Sequence, residues 1–290
     1  MWETIMQDFK IILTSGIIGN LKGFFEAVNE KVEWASVEVG KTPMGFNAAI
    51  FNSIKNLSDT VLLPVAGLMI AFFCTYELID MLIERNNMRE FDITQLIKWG
   101  IKTIITITIV TNAWNIVMAL FDAAQSITNS AAVTINAETV LTQDELSSLI
   151  QTLLTFEVPA LLALWLETSI IKIVLLCVDV AIFILVIGRM IEIYIMTAVA
   201  PIPLATVMRK DAGPNMGRNY LRSVMALAFQ AFLIMVCMAI YSTLVKSTVI
   251  SGTEPGEITL SILEIVGYTI LLCITLFKTG NISKSIFSAH

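Results

Sequence analysis

The sequence predicts an all-α, multi-span membrane protein, and three observations predict it. Hydrophobic residues make up 56% of the chain and charged residues 14%, against roughly 25% charged in soluble domains. Apolar runs recur at lengths that suit a bilayer. Residues 158–208 are almost unbroken hydrophobe, and as one helix would measure about 77 Å against a hydrocarbon core of about 30 Å. That stretch still carries Glu167, Lys172, Asp179, Arg189 and Glu192. Charges facing lipid are expensive, so these side chains must turn toward other helices, other subunits or water.

Residues 1–56 read as an external amphipathic helical region followed by a connector. Trp2, Ile5, Phe9, Ile12 and Leu13, then Leu21, Phe24, Val28 and Val32, recur at helical spacing, with Lys10, Lys22, Glu26 and Glu30 on a polar side. Such a helix, or helix pair, suits a membrane surface or a cap on a bundle. Gly40, Pro43 and Gly45 mark the connector at 36–56.

The transmembrane helical domain occupies 57–290, with spans at about 60–82, 103–121, 158–188, 223–245 and 258–277. Between the second and third, residues 122–142 read as irregular and 143–156 as a short amphipathic helix. After 188 the chain turns back as a segment at 190–208 broken by Pro201 and Pro203, which lack backbone donors and force a kink. Five spans follow if 158–188 crosses once; the alternative is seven. Only Val158 to Leu166 precede Glu167, too few to span, and Gly188 is the only turn residue near Arg189.

The loops at 84–98 and 209–222 and the tail are basic, whereas 122–157 and 246–257 are acidic or nearly neutral. The positive-inside rule then places the C-terminus in the cytoplasm and the N-terminus outside. No basic n-region precedes the first apolar residues, so insertion is expected to use the internal spans.

Net charge is −6 and no cluster of five basic residues occurs, which gives no electrostatic footprint for nucleic acid. The only histidine is His290, and Cys74, Cys177, Cys237 and Cys273 lie far apart inside apolar runs. They read as small packing groups. With no Walker A loop, GxGxxG or HExxH, the sequence predicts no catalytic residues, no metal and no cofactor.

Four polar residues stand out within spans. Lys172 and Asp179 are seven residues apart on one helix face. They suit a subunit contact or pore lining, or else snorkelling for the lysine and one structural hydrogen bond for the aspartate. Gln230 and Glu264 read as interhelical hydrogen-bonding groups or, in a secondary transporter or ion channel, as part of a path in which Asp179 and Glu264 couple ions. Arg189 and Glu192, at i,i+3, can pair with each other.

The run IYIMTAVAPIPLAT at 193–206, followed by GRNYLR at 217–222 and ALAFQ at 226–230, resembles the TrbL-like conjugal transfer proteins. These are the polytopic inner-membrane subunits of type IV secretion systems, and the closest likeness is to compact versions on Gram-positive integrative and conjugative elements. The resemblance implies a non-catalytic homo-oligomer forming part of a translocation channel or platform. It implies a secretion ATPase, bitopic scaffold proteins and pilin-like or surface subunits as partners, beside membrane lipid. Translocated DNA is a further candidate without a sequence signal of its own. On this reading Pro201 and Pro203 shape the cytoplasmic entrance, and Arg209, Lys210, Arg218 and Arg222 meet acidic lipid or the ATPase.

Overall fold

The computed structural model describes residues 2–83, 93–134, 143–207, 216–248 and 254–289. Among the described residues every regular element is helical: α1 (Trp2–Val39), α2 (Pro43–Phe46), α3 (Ala48–Leu57), α4 (Leu63–Ile83), α5 (Ile93–Thr111), α6 (Ala113–Thr134), α7 (Gln143–Thr155), α8 (Val158–Ala198), α9 (Pro201–Leu204), α10 (Met216–Ser247) and α11 (Pro255–Ile286). A π-helical stretch, Ser58–Leu62, joins α3 to α4.

Six helical stretches are long and apolar enough to cross a membrane. Five follow the sequence-derived spans in order, and the sixth is Glu3–Val39 within α1. Along α1, Ile17, Leu21, Phe24, Val28, Val32 and Val39 are buried within the protein, whereas Ile5, Phe9 and Ile12 of the expected apolar stripe are exposed.

Several boundaries differ from the sequence reading, each for a local reason. The connector shrinks, because Thr42 accepts the Gly45 N–H at 2.9 Å to start α2 and Asn47 accepts the Ile50 N–H at 3.0 Å to start α3. The second span divides at Asn112. There the Asn112 amide donates to the Thr108 carbonyl at 2.9 Å, and the Thr108 and Thr111 hydroxyls donate to Ile104 and Ile107. Helix α6 runs on to Thr134 through residues expected to be irregular.

The largest correction concerns α8, which is one continuous helix of 41 residues. The proline-broken segment expected at 190–208 therefore begins only after Ala198. Pro201 is the first residue of α9, a position where a missing N–H is tolerated.

The chain packs as two compact units. Unit 1 comprises Met1–Gly40, Thr128–Ile187 and Phe232–Thr279; unit 2 comprises Lys41–Ile127, Gly188–Ala231 and Gly280–His290. Unit 1 buries α1 with α7 and parts of α8, α10 and α11, through Phe24, Leu153, Leu164, Ile234 and Ile258 among others. Unit 2 has a core of Ala66, Ile70, Val117, Ile193, Leu204 and Leu227 with their neighbours.

Candidate functional site

In unit 1, α1 and α8 run in the same direction, held in register by polar and aromatic contacts. The Trp165 indole lies where a Cβ on Gly16 would fall, 2.8 Å away. Asn20 donates from Nδ2 to Thr168 Oγ1 at 3.1 Å and to Ser169 Oγ at 3.2 Å. Lys31 stands 3.9 Å from the Asp179 carboxylate and 4.8 Å from the Trp34 ring centroid, and Trp34 stacks on Phe183 at 6.0 Å. From Gly16 to Trp34 this seam extends about 27 Å, close to a hydrocarbon thickness.

The seam separates the two polar residues that share one face of α8. Asp179 is matched to Lys31, 148 residues earlier. The same register places Phe24, a buried aromatic, opposite Lys172. Lys172 is exposed and has no ion partner among the described residues. Nothing in the sequence between 158 and 208 could distinguish them, because the difference lies on α1.

Helix α11 also packs against α8 in unit 1. Thr259 donates to the Glu167 carboxylate at 2.9 Å in unit 1, and in unit 2 Lys284 of α11 stands 3.7 Å from Glu192 of α8. Both helices therefore run in the same direction. Glu264, expected as an interhelical group or an ion-coupling residue, is exposed on an outer face beside Leu260 and Leu263. Its carboxylate accepts a hydrogen bond from the Tyr268 hydroxyl at 2.5 Å. Asp179 and Glu264 are not brought together.

In unit 2 the prolines at 201 and 203 unmake part of the helical hydrogen-bond ladder, and the protein replaces each lost bond. Ala200 N–H shifts to the Thr197 carbonyl and Ile202 N–H to the Val199 carbonyl, both at 3.2 Å. This leaves the carbonyls of Met196 and Ala198 without their helical donors. The Tyr220 hydroxyl donates to Met196 at 2.8 Å, and the Ser58 hydroxyl, from the π-helical stretch, donates to Ala198 at 2.8 Å. Irregular backbone at membrane depth is tolerated where protein satisfies it in this way.

The following turn is held as tightly. Gly217 N–H donates to Thr206 Oγ1 at 3.1 Å, and that hydroxyl donates to the Pro203 carbonyl at 2.7 Å. A Cβ on Gly217 would fall 2.4 Å from Val207 Cγ2 and 2.5 Å from the Pro203 carbonyl oxygen. Tyr194 anchors α8 to the chain before α3 through a 2.6 Å bond to the Pro43 carbonyl. Sequence reasoning found the prolines, quoted Tyr194, Thr206, Gly217 and Tyr220 within the family-like runs without a role, and missed Asn20, Lys31 and Ser58. The local signals were slight: a single asparagine on the buried stripe of α1, and a glycine at the start of a helix.

The remaining singled-out residues have plainer positions. Arg189 is buried, 7% exposed, and its Nε has no hydrogen-bond partner. The expected Arg189–Glu192 pair is not the ion pair formed, since Glu192 stands 3.7 Å from Lys284. Gln230 is buried on α10 next to Gly280 of α11. Arg218 is exposed and Arg222 half-buried in the first turns of α10; Arg209 and Lys210 lie outside the described residues. Glu77 of α4 and Lys102 of α5 form a further ion pair in unit 2.

This arrangement of long apolar helices, charged groups within them and a proline-broken turn coincides with a family match. The family described as TrbL/VirB6 plasmid conjugal transfer like protein matches residues 28–201, more than half of the chain. The chain belongs to this family. The matched stretch runs from α1 through α8 and stops at Pro201, so most of the runs that suggested the TrbL likeness, within residues 202–230, lie beyond it. No curated protein and no solved structure matches the chain. Membership of the TrbL/VirB6 family, with six helices of spanning length, makes this a multi-pass membrane component of conjugal transfer.

Proposed function

We propose that this TrbL/VirB6-family protein is a non-enzymatic, homo-oligomeric platform subunit of a conjugative type IV secretion system, supporting translocation of DNA or protein across the bacterial cytoplasmic membrane. The observation that carries the reading is the family match over residues 28–201. In this reading the N-terminus lies on the external side, where the basic loops at 84–98 and 209–222 place it for the five spans read from the sequence. The C-terminus is cytoplasmic. Helices α10 and α11 support that placement as an antiparallel pair, with Ser283 donating to the Ala226 carbonyl and Gln230 beside Gly280.

The proline break then sits toward the cytoplasmic face, followed by the basic residues Arg209, Lys210, Arg218 and Arg222. Acidic lipid or the secretion ATPase is the partner their charge suits. Bitopic scaffold proteins and pilin-like or surface subunits complete the proposed assembly.

A mating assay tests the reading. Deletion of the gene should abolish transfer of its element to recipients, and the wild-type copy supplied in trans should restore it. Undiminished transfer from the deletion strain would refute a role in the transfer machine.

A further inference from the structure

Unit 1 leaves two opposite charges uncovered on spanning helices. Lys172 of α8 and Glu264 of α11 are both exposed, each among exposed apolar side chains: Ile173 and Leu176 beside the lysine, Leu260 and Leu263 beside the glutamate. Neither has an ion partner among the described residues. Such faces meet lipid or another protein, and a charge held against lipid is unfavourable.

Their heights match. Thr259 bonds to Glu167 across a separation of 92 residues, and Lys172 and Glu264 have that same separation, each lying five residues beyond the contact. Because the two helices run in the same direction, the two charges sit at one level along them.

Their directions are opposite. Five residues turn a helical side chain by about 140° from the contact direction. Equal turns of the same hand on two parallel, facing helices send the side chains to opposite flanks of the pair. This explains why two complementary charges at one height do not meet within the chain.

The lysine flank also has room. Gly19 and Gly23 of α1 have open space where a Cβ would stand, as does Gly267 on the outer face of α11. At the level fixed by the α1–α8 register, Gly23 lies next to Phe24, opposite Lys172. Small residues let membrane helices approach closely.

We propose that a second copy of this chain covers these faces, with Lys172 of one copy paired to Glu264 of the next. Charges at one height on opposite flanks describe a head-to-tail contact. Repeated about an axis along the membrane normal, with a rotation that closes, it forms a ring in which each Lys172 meets a Glu264. The inference rests on the oligomeric platform reading above and names the surface through which that platform assembles.

Cross-linking between differently tagged copies tests it directly. With Cys74, Cys177, Cys237 and Cys273 replaced by alanine, Lys172→Cys in one copy and Glu264→Cys in the other should form a disulfide-linked dimer on mild oxidation in membranes. Either variant alone should give no such band. Absence of the mixed dimer, or an equal dimer from one variant alone, would overturn the contact.

A charge exchange in nanodiscs provides a second arm. Lys172→Glu and Glu264→Lys should each lose the oligomer peak, and the two together should regain it. Unchanged peaks from the single variants, or failure of the exchange to restore assembly in a folded chain, would also overturn it. If the wild-type chain is an oligomer but both arms fail, this contact is wrong and the platform reading stands. If the wild-type chain is a monomer, both fall.

Discussion

The proline break in unit 2 and the outer faces of unit 1 treat polar groups in opposite ways. At the break, the carbonyls of Met196 and Ala198 are freed by two prolines, and Tyr220 and Ser58 recover both. On the outer faces, Lys172 and Glu264 are charged and exposed, and no cation of the described chain reaches the glutamate. A buried polar group without a partner is destabilising by more than an ordinary hydrogen bond contributes, so a completed network is evidence of internal structure. An uncompleted one on a spanning helix points outward. The proline pair, which drew most notice in the sequence, is therefore a sealed structural turn, and the lysine is the residue that looks for company.

Substitutions can break or sharpen this contrast. The largest effect is expected from Gly217→Ala, whose Cβ would press on the Pro203 carbonyl, an atom of the turn's own backbone. Overpacking of this kind costs about 1–3 kcal/mol. The upper end applies here, read as a lower midpoint of thermal unfolding and lower membrane yield. An unchanged midpoint would mean that the turn after α9 is looser than described.

Next in size are Ser58→Ala and Tyr220→Phe. Each leaves one buried carbonyl without its donor, so each should destabilise by about 1–3 kcal/mol in thermal unfolding. Both carbonyls belong to one short segment, so the double variant should depart from additivity. Strict additivity would argue that the two bonds hold independent structures.

Asn20→Ala probes the α1–α8 seam. Loss of its bonds to Thr168 and Ser169 should destabilise by about 1 kcal/mol, visible as earlier proteolysis of α1. The smallest effect belongs to Asp179→Asn, because the 3.9 Å pair with Lys31 is only partly buried. Pairs of this kind contribute about 0–1 kcal/mol, so unfolding should hardly move. A large loss would show that this pair, and not the asparagine, sets the register of α1.

Hydrophobic runs made the helical class and five of the six helices of spanning length legible, because bilayer thickness constrains segment length and little else. The break at Pro201 was legible for a similarly local reason: proline removes its own donor. The partners that complete the break were not legible. Ser58 lies 140 residues from Ala198, and Tyr220 lies 24 from Met196, so no spacing along the chain announces either bond. The path of α1 was hidden likewise. An amphipathic stripe looks the same whether it lies on a membrane or along α8, and only the contacts of Asn20 and Lys31 decide between them. For Glu264, position within a span suggested burial. Which side of a helix faces outward depends on its neighbours, and Thr259 rather than Glu264 faces α8.

On the proposed reading, this TrbL/VirB6-family chain works as one copy in a membrane assembly whose contacts lie on the outer faces of unit 1. The native mass of the wild-type protein, extracted into nanodiscs without cross-linker, tests it most directly. The account predicts a protein mass that is a fixed multiple of 32.0 kDa across dilution. A particle holding a single 32.0 kDa chain at every concentration would contradict it.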